Sequence, residues 1–393
     1  MAKRLAIPSE EIKLKIIGPY DDLDVPRVQR LTINKDVPST DIYELGNNTL
    51  AGVTTDIPNV TATFSVFDTG IKTIAVLTGN NPNAYPAAGV DISDLGESDI
   101  ALYVKDASLT DFVKSAHGQR LQIRDFSFSY SVDGESTEDY TLVGSSIRWF
   151  KNDIVVDRFT VGTTSFTLSQ TPIQLLNGNY GLSVILDGEY LTEVVGAPAT
   201  GEYRIVGTTL TTGDTRTAQV LAVYHANPAG SNWSYISDTT MPAAIRGKSV
   251  KVVIVAQDIP RVQNITVNGN LNVQPVREMG TPTIIGYQRQ VPTVDGTLAV
   301  MDTDTELLDL LLNGSINSGA TEFEFGVECV ASGVGLEIRL YDPCDDTVIL
   351  KTVYIPELIL TGDSYASTVN QNATHTFNWK SNTAECIVYS GAK

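Results

Sequence analysis

The segment "PRVQRLTIN", residues 26–34, returns as "PRVQNITVN" at residues 260–268, a shift of 234 positions. An internal repeat restricts the possible folds more than any local pattern, because both segments must satisfy one backbone plan. Residues 26–70 align with 260–304 without a gap, and 16 of the 45 pairs are identical. They include Glu44 with Glu278, Gly46 with Gly280, Gly52 with Gly286, Pro58 with Pro292 and Asp68-Thr69 with Asp302-Thr303. Upstream, "IKLKII" (12–17) answers to "VKVVIV" (250–255) once four residues are dropped. The spacing predicts two copies of one domain, 1–150 and 243–393, separated by different material at 151–242.

At 393 residues and 42% hydrophobic content the chain supports several packed cores. Its formal charge of −19 opposes a nucleic-acid-gripping surface, whose affinity comes from Lys and Arg on phosphates, but not a surface that nucleic acid passes. "MAKRLAIPSEE" lacks a signal-peptide apolar run, and no segment approaches a membrane span, so synthesis in the cytosol without membrane insertion is expected. Cys329, Cys344 and Cys386 are odd in number and form no CxxC pair, which predicts plain thiols.

Period-two alternation dominates and predicts a mainly β fold. In "VTATFSVF" Val60, Ala62, Phe64 and Val66 share one face. In "DFSFSYSVDGES" Phe126, Phe128, Tyr130 and Val132 point inward, and Asp133-Gly134 signals a hairpin turn. "DTGIKTIAVLTGN" and "DTDTELLDLLLNG" break the pattern with helical spacing. They predict one short α-helix per copy, N-capped by Asp68 and Asp302 and closed by Gly79 and Gly314. The Asp302, Asp304, Glu306 cluster lacks EF-hand spacing and reads as helix capping.

A long loop follows the first repeated strand in each copy and carries apolar residues, which predicts docking on a partner. Its candidate contact residues are Ile42, Tyr43, Glu44, Leu45 and Gly46 in one copy and Val276, Glu278, Met279 and Gly280 in the other. Short alternating strands in 151–242 predict a small inserted β-sandwich. Its "NPAGSNWS" tail reads as a linker, with Trp233 as packing rather than a sugar platform.

No HExxH, GxSxG, P-loop or dinucleotide signature is present. His117, His225 and His375 lie far apart in sequence, one per region, and read as structural or solvated. No catalytic residue, metal site or cofactor is predicted. A glycosidase carboxylate pair would meet only in space, so the sequence leaves that reading open.

The order of a strand, a long loop carrying "YELGN", a strand running into an Asp-Thr helix, then "SFSYSVDGESTEDYTLVGSS", resembles the tail tube proteins of long-tailed bacteriophages. In the second copy "SYASTVNQNATHTFNWKSN" keeps the position but not the wording. The resemblance implies two tail-tube β-sandwich domains whose inner sheets join neighbours in a barrel around a lumen, with the helix outside and the long loop reaching the next ring. Six domains close such a ring, so three chains would suffice. It implies a virion protein, made in the bacterial cytoplasm, whose partners are copies of itself and other tail proteins (tape measure, sheath, terminator, baseplate). DNA would pass without specific binding. The lumen-facing candidates are Thr61, Thr63, Ser65, Ser127, Ser129, Ser131, Asp133, Thr293, Asp295 and Thr297. The rival reading is a β-rich baseplate hub or surface adhesin that grips carbohydrate through the insert.

Overall fold

The computed structural model describes residues 12–43, 49–81, 83–94, 96–105, 112–159, 163–175, 178–214, 219–226, 243–280, 284–301, 305–313, 334–369 and 372–393. The fold is mainly β. The N-terminal half comprises β1 (Ile12–Ile17), β2 (Asp22–Asp24), β3 (Val28–Asp36), β4 (Ser39–Tyr43), β5 (Leu50–Thr55), β6 (Asn59–Phe67), α1 (Lys72–Leu77), β7 (Val90–Asp91), β8 (Glu97–Lys105), β9 (Phe112–Ser131), β10 (Thr137–Gly144) and β11 (Ile147–Phe150). Strand β9 is long enough to serve two layers. Its distal part joins an inner sheet β3-β6-β10-β9, and its proximal part an outer sheet β2-β1-β8-β9-β11. Alternation explains the packing between layers: Val60, Ala62, Phe64, Val66, Phe126, Phe128 and Tyr130 are buried as expected. Val132 is not. It lies in the turn after β9 and is half exposed, because the strand ends at Ser131.

The inserted segment carries β12 (Ile154–Phe159), β13 (Ser165–Thr167), β14 (Ser183–Leu186), β15 (Glu189–Tyr190), β16 (Thr192–Glu193), β17 (Glu202–Val206), β18 (Thr209–Thr212) and β19 (Val220–His225). They form two four-stranded sheets, β12-β19-β14-β15 and β13-β18-β17-β16, around a core that includes Phe166, Val184, Tyr203, Leu210 and Tyr224. This sandwich sits on the outer sheet of the N-terminal half. Ile154 and Val223 pack against Ile17, Ala101 and Tyr103, and Arg158 forms ion pairs with Asp21 and Asp22. Trp233 and the "NPAGSNWS" stretch lie outside the described residues.

The C-terminal half comprises β20 (Val250–Ile254), β21 (Gln257–Asp258), β22 (Val262–Asn270), β23 (Val273–Val276), β24 (Gly286–Arg289), β25 (Thr293–Met301), α2 (Glu306–Asn313), β26 (Val334–Asp342), β27 (Asp345–Ala366), β28 (Thr374–Ser381) and β29 (Ile387–Ser390). The β22–β25 ladder pairs Val262 with Val300 and Asn264 with Ala299, and the β3–β6 ladder pairs Val28 with Val66 and Arg30 with Ser65. Each pair is the other moved by 234, and both ladders shift register at the same place.

That shared irregularity accounts for the quoted motif. Arg27 and Arg261 hold left-handed backbone, φ 56° and 60°, which a non-glycine residue adopts only at a cost of roughly 1–2 kcal/mol. Two hydrogen bonds fix each conformation. The Arg27 carbonyl accepts from the Phe67 amide at 3.2 Å and from Gln29 Nε2 at 3.0 Å; the Arg261 carbonyl accepts from the Met301 amide at 3.1 Å and Gln263 Nε2 at 3.0 Å. The Gln of "PRVQ" is therefore a clamp on the Arg carbonyl beside a bulge that turns the strand.

Both short helices form where expected. In α1 the Asn80 amide reaches the Ala75 carbonyl and the left-handed Gly79 amide reaches Val76, a closed C-terminal cap. The N-terminus differs from expectation. Ile71 occupies the cap position without a side-chain bond, and Asp68 turns inward, accepting from the Gly70 amide at 2.9 Å. Buried charge elsewhere claims this carboxylate, as described below. Asp302, Asp304 and Gly314 lie outside the described residues. Glu306 stands in the first turn of α2, where a negative charge suits the helix dipole.

One size exchange distinguishes the two matching ladders. Ala62 lies opposite Leu142, whereas its counterpart Gly296 lies opposite Trp379. A Cβ on Gly296 would meet the Thr266 carbonyl oxygen at 2.0 Å and the Trp379 ring at 2.4 Å. Gly296→Ala is expected to cost about 1–3 kcal/mol through overpacking, read as a lowered urea midpoint. Trp379→Leu in the same chain should return part of that loss, and failure to do so would locate the strain at Thr266 instead.

Candidate assembly interface

The two halves meet edge to edge. Strand β22 pairs antiparallel with β9 over seven residues, from Asn264 opposite Ser131 to Asn270 opposite Asp125. The inner sheets thus become one sheet in the order β3-β6-β10-β9-β22-β25-β28-β27. Ser127 Oγ donates to Asn268 Oδ1 across the seam at 2.8 Å. Gly269 lies opposite Phe126, and its missing side chain is what admits the Phe126 ring. A second seam pairs β29 with β7.

Behind the seam, Lys351 of β27 reaches across to Asp68 and Glu138 of the N-terminal half, and all three side chains are withdrawn from solvent. Tyr140 donates to Glu138 Oε2 at 2.8 Å. Burial pushes the Glu138 carboxyl up to about 7, with the Asp68 charge adding to the rise and Lys351 opposing it. Burial likewise opposes the charge on Lys351, yet the two carboxylates outweigh it and raise its affinity for the proton. A cation shared by two acids is a buried lock: correct geometry makes it tolerable, and loss of one member leaves charge uncompensated.

Among the described residues the two ends of the eight-strand sheet are open. Among the described residues β3 pairs only with β6, and the distal part of β27, Gly362–Ala366, pairs only with β28. Tyr365 on that distal part is 58% exposed. Unpaired strand edges are templates for further strands.

One face of the sheet is polar from end to end. Thr61, Thr63, Ser65, Ser127, Ser129, Ser131, Thr293, Asp295 and Thr297 share it, as the cross-strand register requires. Thr63 and Thr141 hydroxyls approach to 3.5 Å and those of Thr266 and Thr297 to 2.9 Å. Asp133 does not belong to it, because it lies in the turn beyond β9. Asp36, Asp125, Asp139 and Asp295 stand on this face against Arg30 and Lys380, so its balance is acidic.

The long loops are not irregular: each forms a β-hairpin arm, β4–β5 and β23–β24. The first arm is exposed on both faces, and the second buries Val273 at its base and packs Tyr287 against the core, so neither arm shows a full burial alternation in sequence. Ile42, Tyr43, Val276 and Met279 are all exposed, with Met279 fully so. Glu278 and Gly280 are exposed beside it, whereas Glu44, Leu45 and Gly46 lie outside the described residues. The second arm leans on the N-terminal half. Arg277 pairs with Asp56 at 2.8 Å, and Arg289 donates to the Ser93 carbonyl at 2.7 Å and to Gln122 Oε1 at 3.2 Å.

Folding also gathers two histidines that sequence separates. His117 contacts Asp99 at 2.9 Å, and His225 of the inserted sandwich lies 5.5 Å away, ring to ring, stacked on Phe150 at 3.3 Å. Burial, then the neighbouring His117, pushes His225 down to about 2, so it is neutral packing. Burial raises the Asp99 carboxyl, but bonds from His117, Ser183 and the Arg120 amide more than reverse this. Tyr190 also donates to Asp99, at 3.0 Å. The cluster fastens the insert to the outer sheet. His375 bonds Asp363 at 2.7 Å on the open edge. Cys386 is buried and Cys344 exposed, both as free thiols, and Cys329 lies outside the described residues.

Among the described residues no group of three or more His, Cys, Asp or Glu is placed to hold a metal ion, and no helix is long and apolar enough to cross a membrane. No protein-family model matches the chain, and no curated protein matches it.

Proposed function

We propose that the chain is a non-enzymatic structural protein of a phage tail, two copies of one tube domain in tandem, which joins head to tail with further copies into rings that stack as a tube. The observation that carries this reading is the β9–β22 seam together with the open β3 and β27 edges. One joint is already made inside the chain, and the halves that make it present the complementary edges again at the two ends. A head-to-tail contact of this kind is heterologous, and it closes a ring when the rotation per step divides the circle. With two domains per chain, three chains make a pseudo-sixfold ring.

The polar face supports the same reading. A wall that lets DNA slide must not collect phosphate contacts, because every Lys or Arg on phosphate adds a salt-sensitive grip. Hydroxyls with an acidic surplus meet that demand. The exposed apolar arms suit contacts between stacked rings or with other tail proteins, and the insert, fixed to the outer sheet by Arg158, Tyr190 and Gln119, projects away from the polar face.

Negative-stain microscopy of the purified chain is the direct test. Rings or tubes are expected. A protein that stays monomeric at every concentration would overturn the proposal.

A further inference from the structure

The halves match closely enough to give the register at the joint between chains. On the inner-sheet ladders β10–β9 and β28–β27, Thr137 lies opposite Ser129 and Thr374 opposite Ala366, a common shift of 237 (374 − 137 = 366 − 129). Both ladders also skip one residue at matching places, between Asp125 and Ile123 and between Gly362 and Leu360. Asp363, Ser364 and Tyr365 therefore occupy the places of Phe126, Ser127 and Phe128. The 234 shift puts Ile33, Asn34 and Lys35 in the places of Val267, Asn268 and Gly269.

Transferring the seam pairs by these shifts lays β3 of a second copy along the open part of β27. Asn34 then faces Ser364, the same residue pair that hydrogen-bonds inside the chain as Asn268 and Ser127. Ile33 covers Tyr365, as Val267 covers Phe128, which is fully buried. The third pair differs. Where the internal seam has Gly269 against Phe126, the transferred one has Lys35 against Asp363, whose carboxylate is bonded to His375.

Resting on the ring reading above, we propose that the joint between two copies of this chain carries a charged clasp that the joint inside the chain lacks: Lys35 of one copy against Asp363, braced by His375, of the other. The physical reason is partner choice. The internal joint forms between tethered halves at high effective concentration and needs only a steric fit. Separate chains must find the right edge from solution, where complementary charges speed encounter and penalise wrong pairings. Both residues lie on the core-facing side of an open edge strand by register, where an inward-pointing charge discourages promiscuous pairing. A β3–β3 joint would bring two Lys35 and no Asp363 to the seam, and a β27–β27 joint two Asp363 and no Lys35. Only head-to-tail pairing neutralises both.

The test is charge exchange on the full-length chain. Lys35→Asp and Asp363→Lys are each expected to weaken ring formation about tenfold or more by sedimentation, and the double variant to recover it. Raising the salt should weaken the parent joint as well. Both positions are exposed in the free chain, so thermal melts of the monomers should match the parent. The size-preserving variants Lys35→Gln and Asp363→Asn supply the same comparison if either reversal perturbs folding. Rings in the parent with no loss in the single variants, or with no recovery in the double, would overturn the clasp and leave the ring proposal standing. A parent that forms no rings removes both.

Discussion

Lys351→Met is expected to destabilise the chain by about 3–5 kcal/mol, because it leaves Asp68 and Glu138 buried without their shared cation. The measurement is the urea midpoint at pH 7.5, and a loss below about 1 kcal/mol would mean that water reaches the site. Glu138→Gln should be far milder, since Lys351 keeps Asp68. It should also change the pH profile. The folded-state value for Glu138, about 7, lies above its ordinary 4.5, so the folded protein binds a proton that the unfolded chain has released. Its contribution is complete below about 4.5 and is lost as pH rises through 7. The parent should therefore lose stability relative to Glu138→Gln between about pH 4.5 and 7. His225 carries a slope of opposite sign, with stability lost as pH falls below its unfolded value, but it is common to both proteins and cancels in the difference.

If the chain builds the proposed tube, adding cations to the polar face is expected to leave assembly intact and slow DNA passage. Thr61→Lys and Ser129→Lys avoid the positions bonded across the strands at Thr63, Ser127 and Thr266. In the proposed tube each new Lys would recur in every chain of every ring, so a weak phosphate contact of about 0.5 kcal/mol would be multiplied along its length. Ejection from particles carrying the double variant should be slowest at low ionic strength and approach the parent rate as salt displaces the contacts. Parent-like ejection at low salt would place this face elsewhere than on the wall.

Much of the fold was legible because strand and helix periods act locally. Alternation in 59–67 and 121–131 marked the buried Val60, Phe64, Phe126 and Phe128, and the same alternation placed Thr61, Ser127 and Thr297 on one polar face. The helices were marked by apolar spacing, and Gly79 by its place after the last turn. The arms were not legible as strands. The first ribbon is exposed on both sides and the second buries only Val273 of "VQPV", so neither "STDIY" nor "VQPV" has a repeated buried face to impose a period, and both look like loop.

Strand-rich composition, the spacing of the repeated segments and the faces of the inner strands were readable from residue order, since each follows from contacts along one segment or from comparison of one segment with another. Which edges meet and which charges share a site emerged only once the chain was folded. Asp68 reads as a helix cap until Lys351, 283 residues away, is brought beside it. His117 and His225 are isolated until the insert docks, and Gly269 has no reason to be glycine until Phe126 fills its place. Those choices depend on burial and charge summed across the seam, and a residue's neighbours in sequence carry no record of the desolvation that a distant strand will impose.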